Sequence, residues 1–106
     1  MTGSASGSAA QYYLVSPRCP CYCGGEGLLM LVSCPQCGTV MGRCDEVDEL
    51  ILDVHNPKFI PEESICYPDQ LCPKCGKARY GDFRRATTAE IRALGFRRGQ
   101  YRKWPK

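Results

Sequence analysis

Short apolar runs, each broken by glycine, proline or cysteine, set the pattern of this chain. Gln11–Val15 alternates, with Tyr12 and Leu14 on one face and Tyr13 and Val15 on the other, and predicts a short strand. Leu28–Ser33 is an unbroken apolar run ending on a serine and predicts a buried strand. Thr39–Arg43 returns from it, so the two form a hairpin around Cys34–Gly38. Leu50–Val54 predicts a further buried strand, ended by His55-Asn56-Pro57, because the residue before a proline is pushed out of regular structure. Residues 57–71, rich in proline and acid, read as a loop. Ala78–Arg84 reads as a strand interrupted by Gly81. Thr87-Thr88-Ala89-Glu90 has the spacing of a capping box, Ile91, Ala93 and Leu94 give an apolar face, and Gly95 closes a helix of about two turns.

The ends differ from the middle. Residues 1–10 are small and polar and are expected to be disordered, residues 11–95 form the domain, and residues 96–106 read as a basic tail with interleaved aromatics. The chain has 106 residues, enough for one domain, but nine of its apolar residues are cysteines and its aliphatic residues are scattered. Metal crosslinks are the expected remedy for so small a core. The longest aliphatic run, Leu28–Val32, is too short to span a bilayer, and no basic start leads into a long apolar run. A cytoplasmic location with reduced thiols follows as the expectation, and an odd number of cysteines argues against full disulfide pairing.

Chemistry concentrates in two copies of one pentapeptide, Cys34-Pro35-Gln36-Cys37-Gly38 and Cys72-Pro73-Lys74-Cys75-Gly76. Two cysteines separated by two residues turn both sulfurs to one side of a tight turn. The proline preorganises that turn, and the glycine takes the left-handed backbone that closes it. One such knuckle gives half of a tetrahedral thiolate site and two give all of it. Five cysteines remain: Cys19, Cys21, Cys23, Cys44 and Cys66. Two partitions compete. In one, the two knuckles share an ion, and a second ion draws on the remaining five. In the other, Cys21 and Cys23, with or without Cys19, pair with Cys34 and Cys37, while Cys72 and Cys75 pair with Cys44 and Cys66. One zinc ion or two fit the count, and two are expected. The fold class that follows is a small metal-stabilised α+β domain, built of zinc-ribbon β-hairpins with one short C-terminal helix.

The pentapeptides resemble zinc-ribbon and rubredoxin-type knuckles. The stretch Cys19–Cys37, CPCYCGGEGLLMLVSCPQC, is similar to the cysteine-rich CPCC domain of small bacterial proteins, which runs CPCCG, a short strand, then CPxC. This chain departs from it by placing Tyr22 between Cys21 and Cys23. The resemblance covers about a fifth of the chain. It implies zinc binding and, through the immunity-type role suggested for such proteins, a protein partner.

The net charge of +3 hides a polarised chain. Residues 1–71 carry three basic and nine acidic side chains, or −6, and residues 72–106 carry eleven basic and two acidic, or +9. Either a basic surface meets an anionic partner, or acidic and basic faces match internally. The acidic run Asp45–Glu49 reads as a solvated loop, and His55, the only histidine, as a surface residue. Four-thiolate sites are closed, and no HExxH or HxE–PCxxC pattern is present, so an enzyme is not expected. Iron in a rubredoxin-like site, or thiol redox chemistry, remains as an alternative. The main expectation is a binding module. Arg84, Arg85, Arg97, Arg98, Arg102 and Lys103 would neutralise phosphates while Tyr101 and Trp104 stack on bases, or the same region would meet a protein. No membrane or small-molecule site is expected, since GGEG lacks the lysine of a phosphate loop.

Overall fold

A computed structural model describes residues 10–21 and 23–105. Residues 1–9, Tyr22 and Lys106 lie outside the described residues, and with them most of the segment expected to be disordered. The strands are β1 (Gln11–Leu14), β2 (Leu29–Ser33), β3 (Val40–Cys44), β4 (Leu50–Ile51), β5 (Arg84–Arg85) and β6 (Tyr101–Trp104), with one helix, α1 (Thr88–Ala93). Every pairing between these strands is antiparallel, in the order β4-β3-β2-β1-β6, and β5 adds to β2.

The β2–β3 hairpin forms because its turn is built by the first knuckle. The Cys34 amide donates to the Thr39 carbonyl at 3.1 Å and the Gly38 amide to the Cys34 carbonyl at 2.9 Å, which sets Ser33 opposite Val40 and Leu29 opposite Cys44. All five β2 residues are buried, as an unbroken apolar run requires when both faces of a strand are covered. On one face Leu29 and Leu31 pack with Leu14, Val40, Ile51, Tyr101 and the α1 residue Ile91. On the other, Val32 packs with Met41, Leu50, Ala78 and Tyr80. The capping box of α1 is complete: the Thr87 hydroxyl accepts from the Glu90 amide at 3.1 Å, and the Glu90 carboxylate accepts from the Thr87 amide at 2.9 Å. Gly95, with a φ of 95°, follows the end of the helix.

Four expectations change. The strand expected over Leu50–Val54 pairs only at Leu50 and Ile51, because the Asp53 carboxylate takes the amides of His55 and Asn56 and turns the chain. The strand expected over Ala78–Arg84 is replaced by a 3-10 turn at Tyr80–Asp82, since the amides of Tyr80 and Gly81 are drawn to the carbonyls of Gln70 and Pro68. Pairing resumes at β5. The acidic run is solvated except at its end: Glu49 is fully buried, and its carboxylate accepts from the Ser64 hydroxyl (2.9 Å) and the Ile65 amide (3.0 Å). Residues 96–106 carry an edge strand rather than a free tail. β6 pairs with β1 in four registered positions, which buries Tyr101 beside Tyr12.

Candidate metal centres and a basic face

Eight of the nine cysteines fall into two quartets, Cys34, Cys37, Cys72 and Cys75, and Cys19, Cys21, Cys23 and Cys44. Within each, all four sulfurs lie within 4.8 Å of one another. A tetrahedral ion with metal–sulfur bonds of about 2.3 Å sets its sulfurs about 3.8 Å apart. Cys34 and Cys75 sulfurs stand 3.7 Å apart and Cys37 and Cys72 sulfurs 3.8 Å, so this quartet fits such an ion. A disulfide would need about 2.05 Å. All nine thiols are free.

The two knuckles superpose in their bonding. Amides of Gln36 and Lys74 each donate to the first sulfur of their own knuckle at 3.4 Å, and Gly38 and Gly76 close the turns with φ of 72° and 67°. The first cysteine of each knuckle is buried; Cys37 is exposed and Cys75 half-buried. Burial pushes the Cys34 thiol up to about 11, whereas the Thr39 hydroxyl, 3.2 Å from its sulfur, lowers Cys37. The amides of Lys77 and Ala78 lower Cys75 to about 6. Four thiolates around a divalent ion leave a net charge of −2, and these N–H donors are what offsets it.

The second quartet is built at the other end of the hairpin. Cys44 closes β3 and is fully buried, and the segment between β1 and β2 folds over it. The Cys19 amide donates to the Gly27 carbonyl, and the Gly27 amide to the Cys23 sulfur at 3.4 Å. Cys19 and Cys21 sulfurs are 3.2 Å apart. A side chain at Gly27 would collide with the Cys44 sulfur and crowd that of Cys23, so only glycine fits there. Burial pushes Cys19 well up and Cys21 up to about 11. Cys23 is also opposed by burial, but the Gly27 amide and the Cys21 thiol outweigh it and bring the thiol to about 7.

The sulfurs therefore group as the knuckle–knuckle partition has them, and not across the hairpin. Cys21 and Cys23 cannot meet Cys34 and Cys37, because the five residues of β2 separate them by about 15 Å at 3.2–3.4 Å per residue. Cys66 joins neither quartet. It is half-buried in the loop before the second knuckle, where its amide donates to the Gln70 side chain. Cys19 takes the place beside Cys21, Cys23 and Cys44.

The basic residues scatter more widely. Arg84 is engaged by Glu90 through two hydrogen bonds of 3.0 and 2.8 Å. Tyr101 is buried, and its hydroxyl accepts from the Arg92 side chain, so it offers no face to a base. Arg97 and Arg98 are exposed in the turn that leads into β6. Arg102 lies opposite Tyr13 and Trp104 opposite Gln11 on the face away from α1, while Lys103 lies opposite Tyr12 on the other. Arg85, opposite Val32, joins Arg102 and Trp104 on their face, as does Arg43, opposite Met30. Arg43 was not singled out from the sequence, where it is merely the last polar residue of a strand. His55 is exposed, stacked on Phe96 at 4.9 Å, with Nε2 2.8 Å from the Leu94 carbonyl. Among the described residues no helix is long and apolar enough to cross a membrane.

No protein-family model matches the chain, and comparison with curated proteins and with solved structures returned no match.

Proposed function

We propose that this chain is a non-enzymatic module, held together by two zinc ions, that binds single-stranded nucleic acid on the sheet face away from α1. Zinc suits sites made only of thiolates, the knuckle sulfurs stand at tetrahedral spacing, and two quartets closed by four thiolates each leave no open position for water or substrate. Each knuckle then serves as half of a zinc ribbon, and the reduced thiols suit a cytoplasmic setting. The observation that carries the binding reading is the shared face of Arg43, Arg85, Arg102 and Trp104, with Trp104 41% exposed. Arg85 and Arg102 would track phosphates there while Arg43 and the indole meet a base.

The test is fluorescence anisotropy of labelled single strands against the zinc-loaded protein. With about two phosphate contacts and a slope of about −0.7 per contact, affinity should fall about sevenfold between 50 and 200 mM salt. Replacing Arg85 and Arg102 together should weaken all sequences alike. Absence of binding at low salt refutes the reading.

A second reading, a protein-binding module of the immunity type, has support from Tyr67 and Leu71, apolar side chains 65% and 52% exposed in the segment before Cys72. Such a partner would bind with little dependence on salt. Iron in place of zinc after purification without chelator would favour the redox alternative.

A further inference from the structure

The face away from α1 is not flat. It holds a cleft of about 360 Å³ floored by Met30 and walled by Arg43, Arg85, Asp45, Asp48 and Trp104. This volume sits at the small end of the ~300–1,000 Å³ typical of small-molecule sites, room for one base and its sugar but not for a duplex.

Two side chains set the chemistry of the cleft. The Nε of Arg43 is buried and makes no hydrogen bond among the described residues, so a ligand in the cleft would meet the outer nitrogens of that guanidinium. The Asp48 carboxylate also has no partner among the described residues, although its backbone is held on both sides: the amide donates to the Cys44 carbonyl, and the carbonyl accepts from the Tyr80 hydroxyl at 2.7 Å. Asp45 differs, because its carboxylate already accepts from the Leu28 amide at 2.7 Å. The cleft thus presents the Arg43 guanidinium, the exposed Asp48 carboxylate and an exposed indole. Two guanidinium groups against two carboxylates leave little net charge, so a simple anion gains little. A flat, neutral ligand with acceptors on one side and donors on the other gains most.

Among the four bases guanine has that edge. O6 and N7 accept, the pairing arginine makes best, and N1–H and the N2 amino group donate side by side, as a carboxylate requires. We propose that this cleft takes one unstacked guanine from a single strand. Its ring lies against Trp104, O6 and N7 accept from Arg43, and N1–H and N2–H donate to Asp48. The inference rests on the nucleic-acid reading above and adds a base preference to it.

Trp104 is the only tryptophan, so its fluorescence reports on the cleft directly. The zinc-loaded protein is titrated with the RNA heptamers U3GU3, U3AU3, U3CU3 and U7, following both Trp104 quenching and anisotropy of the labelled strand. The expected result is U3GU3 binding about tenfold or more tighter than the other three, with the strongest quenching. Asp48→Asn should cut that preference to below about threefold. Asparagine suits the left-handed backbone of position 48 (φ 61°), so the turn survives, and two retained zinc ions by native mass verify this. Arg43→Gln, checked the same way, should also erase the preference. Equal binding of all four heptamers overturns the guanine site and leaves the nucleic-acid reading standing. Binding of none overturns both. A preference that survives Asp48→Asn and Arg43→Gln overturns the placement of the base.

Discussion

Replacing Cys44 by serine tests the second quartet where it is most deeply anchored. Cys44 is fully buried at the end of β3, and its sulfur is one of four within 4.8 Å. Structural zinc contributes about 10–16 kcal/mol of apparent binding energy, so one thiolate of four accounts for about 2.5–4 kcal/mol. At 1.36 kcal/mol per decade this weakens the ion about 70–900-fold. A domain of this size loses about 4–8 °C of Tm per kcal/mol, giving a fall of about 10–30 °C. The assay is native mass spectrometry of the loaded protein, competition against a chromophoric chelator and a thermal melt, with Cys66→Ser as the control. Cys44→Ser should carry one tightly held ion and melt early. Cys66→Ser should keep two ions and stay within about 1 kcal/mol of wild type, because its sulfur belongs to neither quartet. Loss of an ion in Cys66→Ser, or two unchanged ions in Cys44→Ser, refutes the assignment.

Gly27→Ala should release the ion of the same quartet while sparing the knuckles, because the new methyl falls on the Cys44 sulfur; a native mass with both ions retained counts against this. Acid should empty the quartets in order. Burial raises two thiols of one quartet, Cys19 and Cys21, against one lowered, Cys23, whereas the knuckle quartet has one raised, Cys34, against two lowered, Cys37 and Cys75, so the knuckles hold more thiolate at lower pH. As pH falls from 7, the single-ion species should therefore retain the knuckle ion, read by which cysteines alkylate first. Thr87→Ala removes the hydroxyl that caps α1 and should cost about 1 kcal/mol, seen as a drop of about 4–8 °C in Tm.

What was legible in the sequence was local. The knuckles, the capping box and the β2–β3 hairpin depend on residues within a few positions of one another, and proline, glycine and threonine announce them. The second quartet was legible in principle. Once the knuckle sets Ser33 opposite Val40, antiparallel register carries Cys44 to Leu29, next to the Cys19–Gly27 turn and far from Cys34. Cys66 drew attention by lying six residues before Cys72, but proximity in sequence gives no direction to a side chain on a loop. β6 was hidden because its pairing partner, β1, lies some ninety residues away, and an edge strand with one covered face shows only a single buried residue, Tyr101. Glu49 looked like its acidic neighbours; only the Ser64 and Ile65 donors, brought from across a loop, make its burial tolerable.

The two quartets also interleave along the chain. One closes residues 19 to 44 and the other 34 to 75, so Cys34 and Cys37 lie within the span of the first and Cys44 alone within the span of the second. A cut in the peptide backbone between 53 and 70 would leave six of the eight quartet cysteines on one fragment and two on the other. Those two, Cys72 and Cys75, would complete the knuckle quartet from a separate polypeptide, while β6 still paired with β1. A nicked molecule loaded with metal would migrate as one particle and come apart on chelation. The knuckle ion would then join two polypeptides, and the loop between Cys44 and Cys72 would be where this protein tolerates being two chains.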